Sequence, residues 1–134
     1  MNVDIHETQS TEISRIAELS QRTNKCTNGI RYTRDELSKC IQNDNYKLYS
    51  VFLSDRFSDL GLVGVIGINA SCLDLFSLSC RALGRNIEDL MIETVRSSAV
   101  SSMNFISTGK NEKLYELLCS TIMNEVKEQQ QNID

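Results

Sequence analysis

Three extended runs follow one another without an intervening helix, Lys47 to Ser54, Leu62 to Ile68 and Cys72 to Ser79. The third delivers an Arg-x-x-Gly loop, Arg81-Ala82-Leu83-Gly84, onto the start of an amphipathic helix. Tyr, Val, Phe and Leu dominate the first run, and Leu62-Val63-Gly64-Val65-Ile66-Gly67-Ile68 is the kind of short apolar stretch that a sheet buries. Successive strands joined by short links form an antiparallel meander. A helix N-terminus leaves backbone N–H groups unpaired and carries about half a positive charge. The passage from Asp74 to Asn86 therefore reads as a place for an anion such as a pyrophosphate.

The rest of the chain fits helices around that meander. Ile13, Ile16, Ala17 and Ser20 recur at helical spacing in a first helix of about 13 residues. Thr33-Arg34-Asp35-Glu36 is a capping box that opens a short helix through Leu37, Cys40 and Ile41. Ile87, Leu90, Met91, Thr94 and Val95 trace a third helix, Met103 to Ser107 a fourth strand, and Leu114, Leu117, Leu118, Thr121 and Ile122 a last helix. The predicted order is ααβββαβα. The link from Asp55 to Gly61 reads as a hairpin-like turn in which Asp55, Arg56 and Asp59 either pair with one another or face a partner domain. Residues 1–9 and 128–134 read as disordered tails around one domain at 10–127.

Composition removes several function classes. With 134 residues the chain suits a single domain, and no apolar run approaches the roughly 20 residues that span a bilayer. The first residues lack a basic region followed by an apolar core, so the expectation is a cytoplasmic protein without membrane attachment. A net charge of −4 argues against nucleic acid as the main ligand. Cys26, Cys40, Cys72, Cys80 and Cys119 contain no Cys-x-x-Cys pair, which fits reduced, mostly buried thiols and no metal site. Cys80 stands before a helix N-terminus, where a thiol pKa falls, yet strand packing is the simpler reading of it. His6 is the only histidine and falls in the expected tail, which excludes histidine-based nucleophilic catalysis.

The element order and the Arg-x-x-Gly loop together resemble the GNAT acyltransferase fold, whose phosphate loop reads Arg/Gln-x-x-Gly-x-Gly/Ala. Within it the chain is most similar to the C-terminal GNAT-like domain of FkbH-like proteins, which act in making methoxymalonyl-type units on acyl carrier proteins. The likeness rests on Gln21-Arg22-Thr23-Asn24-Lys25, on Leu53 through Val65, on Asp74 through Arg85, and more faintly on Thr108-Gly109-Lys110-Asn111. It implies an α+β fold, a GNAT-like α/β/α sandwich with a mixed, mostly antiparallel sheet. The two strands that close most such sheets are missing from the sequence, which leaves an edge open to a partner or to a second copy in a homo-oligomer. The known glyceryl chemistry of the family belongs to a preceding HAD-type domain with an Asp-x-Asp pair, and no such pair occurs here.

For the site, the resemblance implies that Leu78, Ser79, Cys80, Arg81, Gly84, Arg85 and Asn86 cradle the phosphates of coenzyme A or of a phosphopantetheine thioester. Asn111 would bond a pantetheine amide or cap the last helix. Arg22, Thr23 and Asn24 end the first helix near the acceptor side, although helix C-capping by itself explains Asn24. Two departures weaken catalysis. Asn86 stands where the loop's second small residue belongs, though Asn also caps helices, and Leu117 and Leu118 replace the Phe-Tyr pair whose Tyr serves as acid. Tyr115 lies one turn earlier, and no catalytic residue is assigned. Two functions follow: an acyltransferase-type domain binding the phosphopantetheine arm, or a non-catalytic docking module for an acyl carrier protein or a HAD-type partner.

Overall fold

The computed structural model describes residues 2–54 and 59–131. Its elements are β1 (Asn2–Glu7), α1 (Ile13–Arg22), α2 (Arg34–Cys40), β2 (Tyr46–Ser54), β3 (Asp59–Asn69), β4 (Cys72–Leu78), α3 (Ile87–Ser97), β5 (Ser102–Met103) and α4 (Glu112–Gln131). They build one five-stranded sheet in the order β1-β2-β3-β4-β5. The first four strands are antiparallel neighbours, and β5 runs parallel to β4. The α+β class and the mostly antiparallel mixed sheet are as the sequence implies.

Each face of the sheet carries one helix pair. Ile13, Ile16, Ala17 and Leu37 of α1 and α2 pack on Tyr46, Leu48, Leu62, Val65 and Leu75. On the opposite face α3 and α4 bury Ile87, Met91, Val95, Leu114 and Leu118 against Val51, Leu53, Ile66, Phe76 and Leu78. The Thr33 capping box forms as expected, with the Glu36 N–H donating to Thr33 and the Thr33 N–H to Glu36. No helix among the described residues is long and apolar enough to cross a membrane.

Several boundaries differ from expectation. Residues 2–7 are not a tail but an edge strand paired along its length with β2. The strand was hard to see because its side chains are at most half-buried and its register depends on a partner 40 or more positions away. At the other end the helical backbone continues to Gln131, so 128–131 of the expected C-terminal tail are helical, and 132–134 lie outside the described residues. The first helix has 10 residues, because Thr23 turns extended and closes it with both its N–H and its hydroxyl on the Leu19 carbonyl. Leu90 and Leu117, placed on apolar faces by periodicity, are exposed. Asp55 and Arg56 lie outside the described residues, and Asp59 opens β3.

His6 is held in β1 rather than frayed. Its ring stacks on Phe52, and its nitrogens reach the carboxylates of Asp4 at 2.8 Å and Glu12 at 3.0 Å. The Glu12 and Asp4 hydrogen bonds raise its pKa above 6.5. Burial pushes the Glu12 carboxyl up, but the Gln9 N–H, His6 and Ser50 outweigh it and hold the group below 4.5. A raised His6 contributes stability that is complete below 6.5 and fades as pH rises through its folded value. A lowered Glu12 contributes stability that is complete above 4.5 and fades on acidification. The pair therefore anchors β1 best between those limits. In an NMR titration the single histidine should show a midpoint above 6.5 that drops in Glu12→Gln. An unchanged midpoint would mean that Glu12 does not hold the ring.

Candidate functional site

The passage from β4 into α3 turns the chain with two left-handed residues. After Leu78 the Ser79 N–H donates to the Val63 carbonyl at 2.7 Å, Cys80–Ala82 make one 3-10 turn, and Gly84 (φ 81°) and Asn86 (φ 63°) re-aim the backbone into α3. Asn86 occupies the N-cap position but makes no capping bond with its side chain, contrary to the role expected of it, because its left-handed backbone does the turning. The Gly84 N–H donates to Glu88 at 3.1 Å, so the helix's own carboxylate holds a donor that the sequence offered to an external anion. Arg81 donates to the Leu60 carbonyl at 3.0 Å.

The residues named from the sequence do not converge on one point. Leu78 is fully buried in the core. Ser79, Cys80 and Arg81 line a cavity of about 430 Å³ against α1, on the side of Arg15, Glu18 and Arg22. Arg85 and Asn86 border a depression beside Asn2 and Leu90. Cys80 is exposed in the 3-10 turn, not packed in a strand, because β4 ends two residues before it; among the five thiols only Cys26 is buried.

A second cleft, of about 360 Å³, opens between this loop and the start of α4. Cys26, Leu83, Leu114 and Leu117 give it an apolar lining, and Lys25, Lys110 and Lys113 add three cationic side chains beside Glu88. Burial, followed by the nearby Glu88 charge, lifts the Cys26 thiol to about 12, so it is no nucleophile here. None of the three lysines stands out in the sequence as a site residue, since Lys25 is more than eighty positions from Lys110 and Lys113. The signal was nonetheless present, because Lys25 and Lys110 stand inside two of the stretches that carry the family likeness.

Between the two hollows runs a strap, Cys26–Asn28, laid along the edge of β4. Thr27 bridges Ser77, the Leu78 N–H donates to the Cys26 carbonyl at 2.8 Å, and the Asn28 N–H donates to the Phe76 carbonyl at 2.9 Å. The Asn28 side chain is fully buried; its amide donates to the carbonyls of Asp74 and Asn104 and its oxygen accepts from the Phe76 N–H. The strap explains why the expected strand Met103 to Ser107 stops at Met103: beyond Leu73 the edge of β4 is already taken. Asn111, expected on a pantetheine amide or as a cap, stands at the start of α4, where its carbonyl accepts from the Tyr115 N–H at 3.1 Å, and its side chain ties the strap to that helix. Its amide donates to the Thr27 and Ile106 carbonyls and its oxygen accepts from the Thr108 N–H. Asn24 likewise spends its side chain inside the chain, accepting from Arg31 at 2.8 Å.

Other titratable groups near the sheet are structural. Asp74 sits at the extra residue of a bulge in β4, turned toward α2, where it accepts from the Tyr32 and Tyr46 hydroxyls at 2.7 Å and from the Asn104 amide at 2.8 Å. Burial, then the bond to Asp74, pushes both hydroxyls far above the usual tyrosine range. Tyr115 is half exposed, edge-on to Phe105 at 4.9 Å, with its pKa raised by a hydrogen bond with Cys119.

No family model and no curated protein sequence matches the chain. Solved structures do. It is similar to a spermidine/spermine N-acetyltransferase from Vibrio cholerae at 13% identity and a TM-score of 0.50, over 71% of this chain and 60% of that one. A variant of the spermidine N-acetyltransferase from that organism gives 14% and 0.49 over 71% and 60%. A chimera of it gives 14% and 0.47 over 73% and 63%. The chain thus spans about three fifths of the length of these enzymes. At such identity the likeness establishes architecture alone: the fold is GNAT-like, with helix pairs on both faces of the sheet.

Proposed function

We propose that this chain is an acyltransferase-type domain that holds the phosphopantetheine arm of coenzyme A or of an acyl carrier protein in the cleft between the Leu83–Asn86 loop and α4. The observation that carries this reading is the pairing of an apolar lining with three lysines beside that loop. Such an arm is a slender, uncharged chain ending in phosphate, so it needs an apolar channel with cations at its mouth. Lys25, Lys110 and Lys113 would hold the phosphate end, and Leu83, Leu114 and Leu117 the chain. When bound, the arm supplies a thioester carbonyl. The chain's own part is then positioning and exclusion of water, and His6, the only histidine, is on β1 beside Phe52. A carboxylate already sits on Gly84, so an entering phosphate competes with Glu88 for that donor.

The resemblance to FkbH-like proteins favours a carrier protein served by a HAD-type partner, in the cytoplasm where such thioesters are made. A second reading, docking of the carrier without group transfer, is favoured by the strap. Cys26–Asn28 covers the edge of β4 between the lysine cleft and the arginine-lined cavity, where a thioester and an acceptor would have to meet. Calorimetric titration separates the two. Coenzyme A should bind, and Lys110→Gln/Lys113→Gln should weaken it at least tenfold, since charge-assisted contacts contribute about 1.5–3 kcal/mol each. Equal affinity for apo and holo carrier, with no coenzyme A binding, would overturn the arm-binding reading and leave the docking one.

A further inference from the structure

The cavity on the other face of the loop has a chemistry of its own. Arg15, Glu18 and Arg22 project from one side of α1, at spacings of three and four residues, opposite the buried Ile13, Ile16 and Ala17. Arg81 enters from the loop after β4, with Leu62 and Ser79 as further walls. Three guanidinium groups face one carboxylate, a local charge of 3 − 1 = +2 in a chain whose net charge is −4. Glu18 is committed to Arg22 at 2.8 Å. Arg15 has no ion-pair partner among the described residues, and Arg81 spends one donor on the Leu60 carbonyl, which fixes its position and leaves the rest of its fork available. The C-terminal end of α1 adds about half a negative charge here, too little to cancel the arginines, and Thr23 already covers the Leu19 carbonyl.

We propose that this cavity binds a small oxyanion, a carboxylate- or phosphate-bearing metabolite, through Arg15, Arg22 and Arg81. Its volume of about 430 Å³ suits a molecule of metabolite size. Arginine forks match the planar oxygens of carboxylate and phosphate, and a cationic amine would meet repulsion from three sides. The site stands independently of the lysine cleft. If that cleft holds a thioester arm, an oxyanion at Arg15 would be the anionic part of the acceptor, delivered from the opposite side of the strap.

The test is calorimetry at low salt with malonate, with inorganic phosphate and with spermidine, on the full chain and on Arg15→Gln/Arg22→Gln. Both positions are exposed on α1, so the variant should fold, which circular dichroism checks. Malonate or phosphate should bind, the tighter of the two naming the group preferred, and the double variant should lose at least tenfold. The share of that binding which the arginine variant loses should survive in Lys110→Gln/Lys113→Gln, which separates failure of this site from failure of the lysine cleft. Absence of binding by both anions, equal binding by the arginine variant, or tighter binding of spermidine would each overturn the proposal.

Discussion

Gly29→Ala should lower the melting temperature by roughly 10–20 °C, the larger of the two backbone effects expected for left-handed glycines in this fold. Gly29 has φ of 83°, and a Cβ there would lie 1.9 Å from the Ile106 carbonyl oxygen and 2.8 Å from its carbon. The left-handed conformation alone costs a non-glycine residue about 1–3 kcal/mol. The clash cannot be relieved cheaply, because the Ile106 oxygen accepts from Asn111 and the Ile106 N–H donates to the Asn28 carbonyl at 2.8 Å. Moving Ile106 therefore loosens the strap and the start of α4 together, for a total on the order of 4 kcal/mol. Gly84→Ala supplies the control. Its φ of 81° is nearly the same, but nothing lies within 4 Å of the added carbon, so it should cost only the conformational part. Thermal unfolding followed by circular dichroism reads both, and equal losses would show that the contact with Ile106 is not tight.

What the sequence reveals of this fold divides by range. The β2–β4 meander, the capping box and the loop into α3 are written in neighbouring residues and appear where expected. β1 is not, since Val3 and Ile5 gain their burial from β2, and His6 gains its partners from Glu12 and Asp4. The strap is harder still. Cys26-Thr27-Asn28-Gly29 is short and mostly polar, and it forms a single bridge with β4, so no alternation of apolar residues could mark it. The candidate site was legible as a loop but not as a geometry. Arg81 and Gly84 were named from their spacing, yet the loop borders three separate hollows, and Arg15 and the lysines that give two of them their charge come from α1, from the residue before the strap, and from α4 and the turn before it. Arg15 was readable in principle from its helical spacing with Arg22; its meeting with Arg81 was not, because that depends on how α1 crosses β3 and β4.

Asn28→Asp should be nearly as damaging as Gly29→Ala, and pH should govern how much. The change keeps the side chain's shape and inverts one half of its hydrogen bonding. Where the amide donates to the Asp74 carbonyl at 2.7 Å and the Asn104 carbonyl at 3.0 Å, the variant places a carboxylate oxygen against two acceptors, fully buried. Leaving that charge uncompensated costs about 3–5 kcal/mol, so the folded form favours protonation and raises the folded pKa above the unfolded value of about 3.9. An acid whose folded pKa is raised suffers no ionisation penalty below its unfolded value and the full penalty above its folded one. The variant should therefore approach the parent in acid and fall away as pH rises. Even protonated it offers one donor for two carbonyls, so a deficit should remain at pH 4. Urea unfolding from pH 4 to 8 measures this, and a pH-independent difference would show that the carboxyl escapes to water. Amide exchange at Phe76 and Leu78, whose N–H groups donate to the Asn28 side chain and the Cys26 carbonyl, reports whether the strap itself has lifted. If coenzyme A then binds the variant more tightly than the parent at pH 7.5, the strap competes with the arm for the edge of β4. If affinity is unchanged, the strap is the permanent neighbour of that strand and the arm must be held wholly on the lysine side.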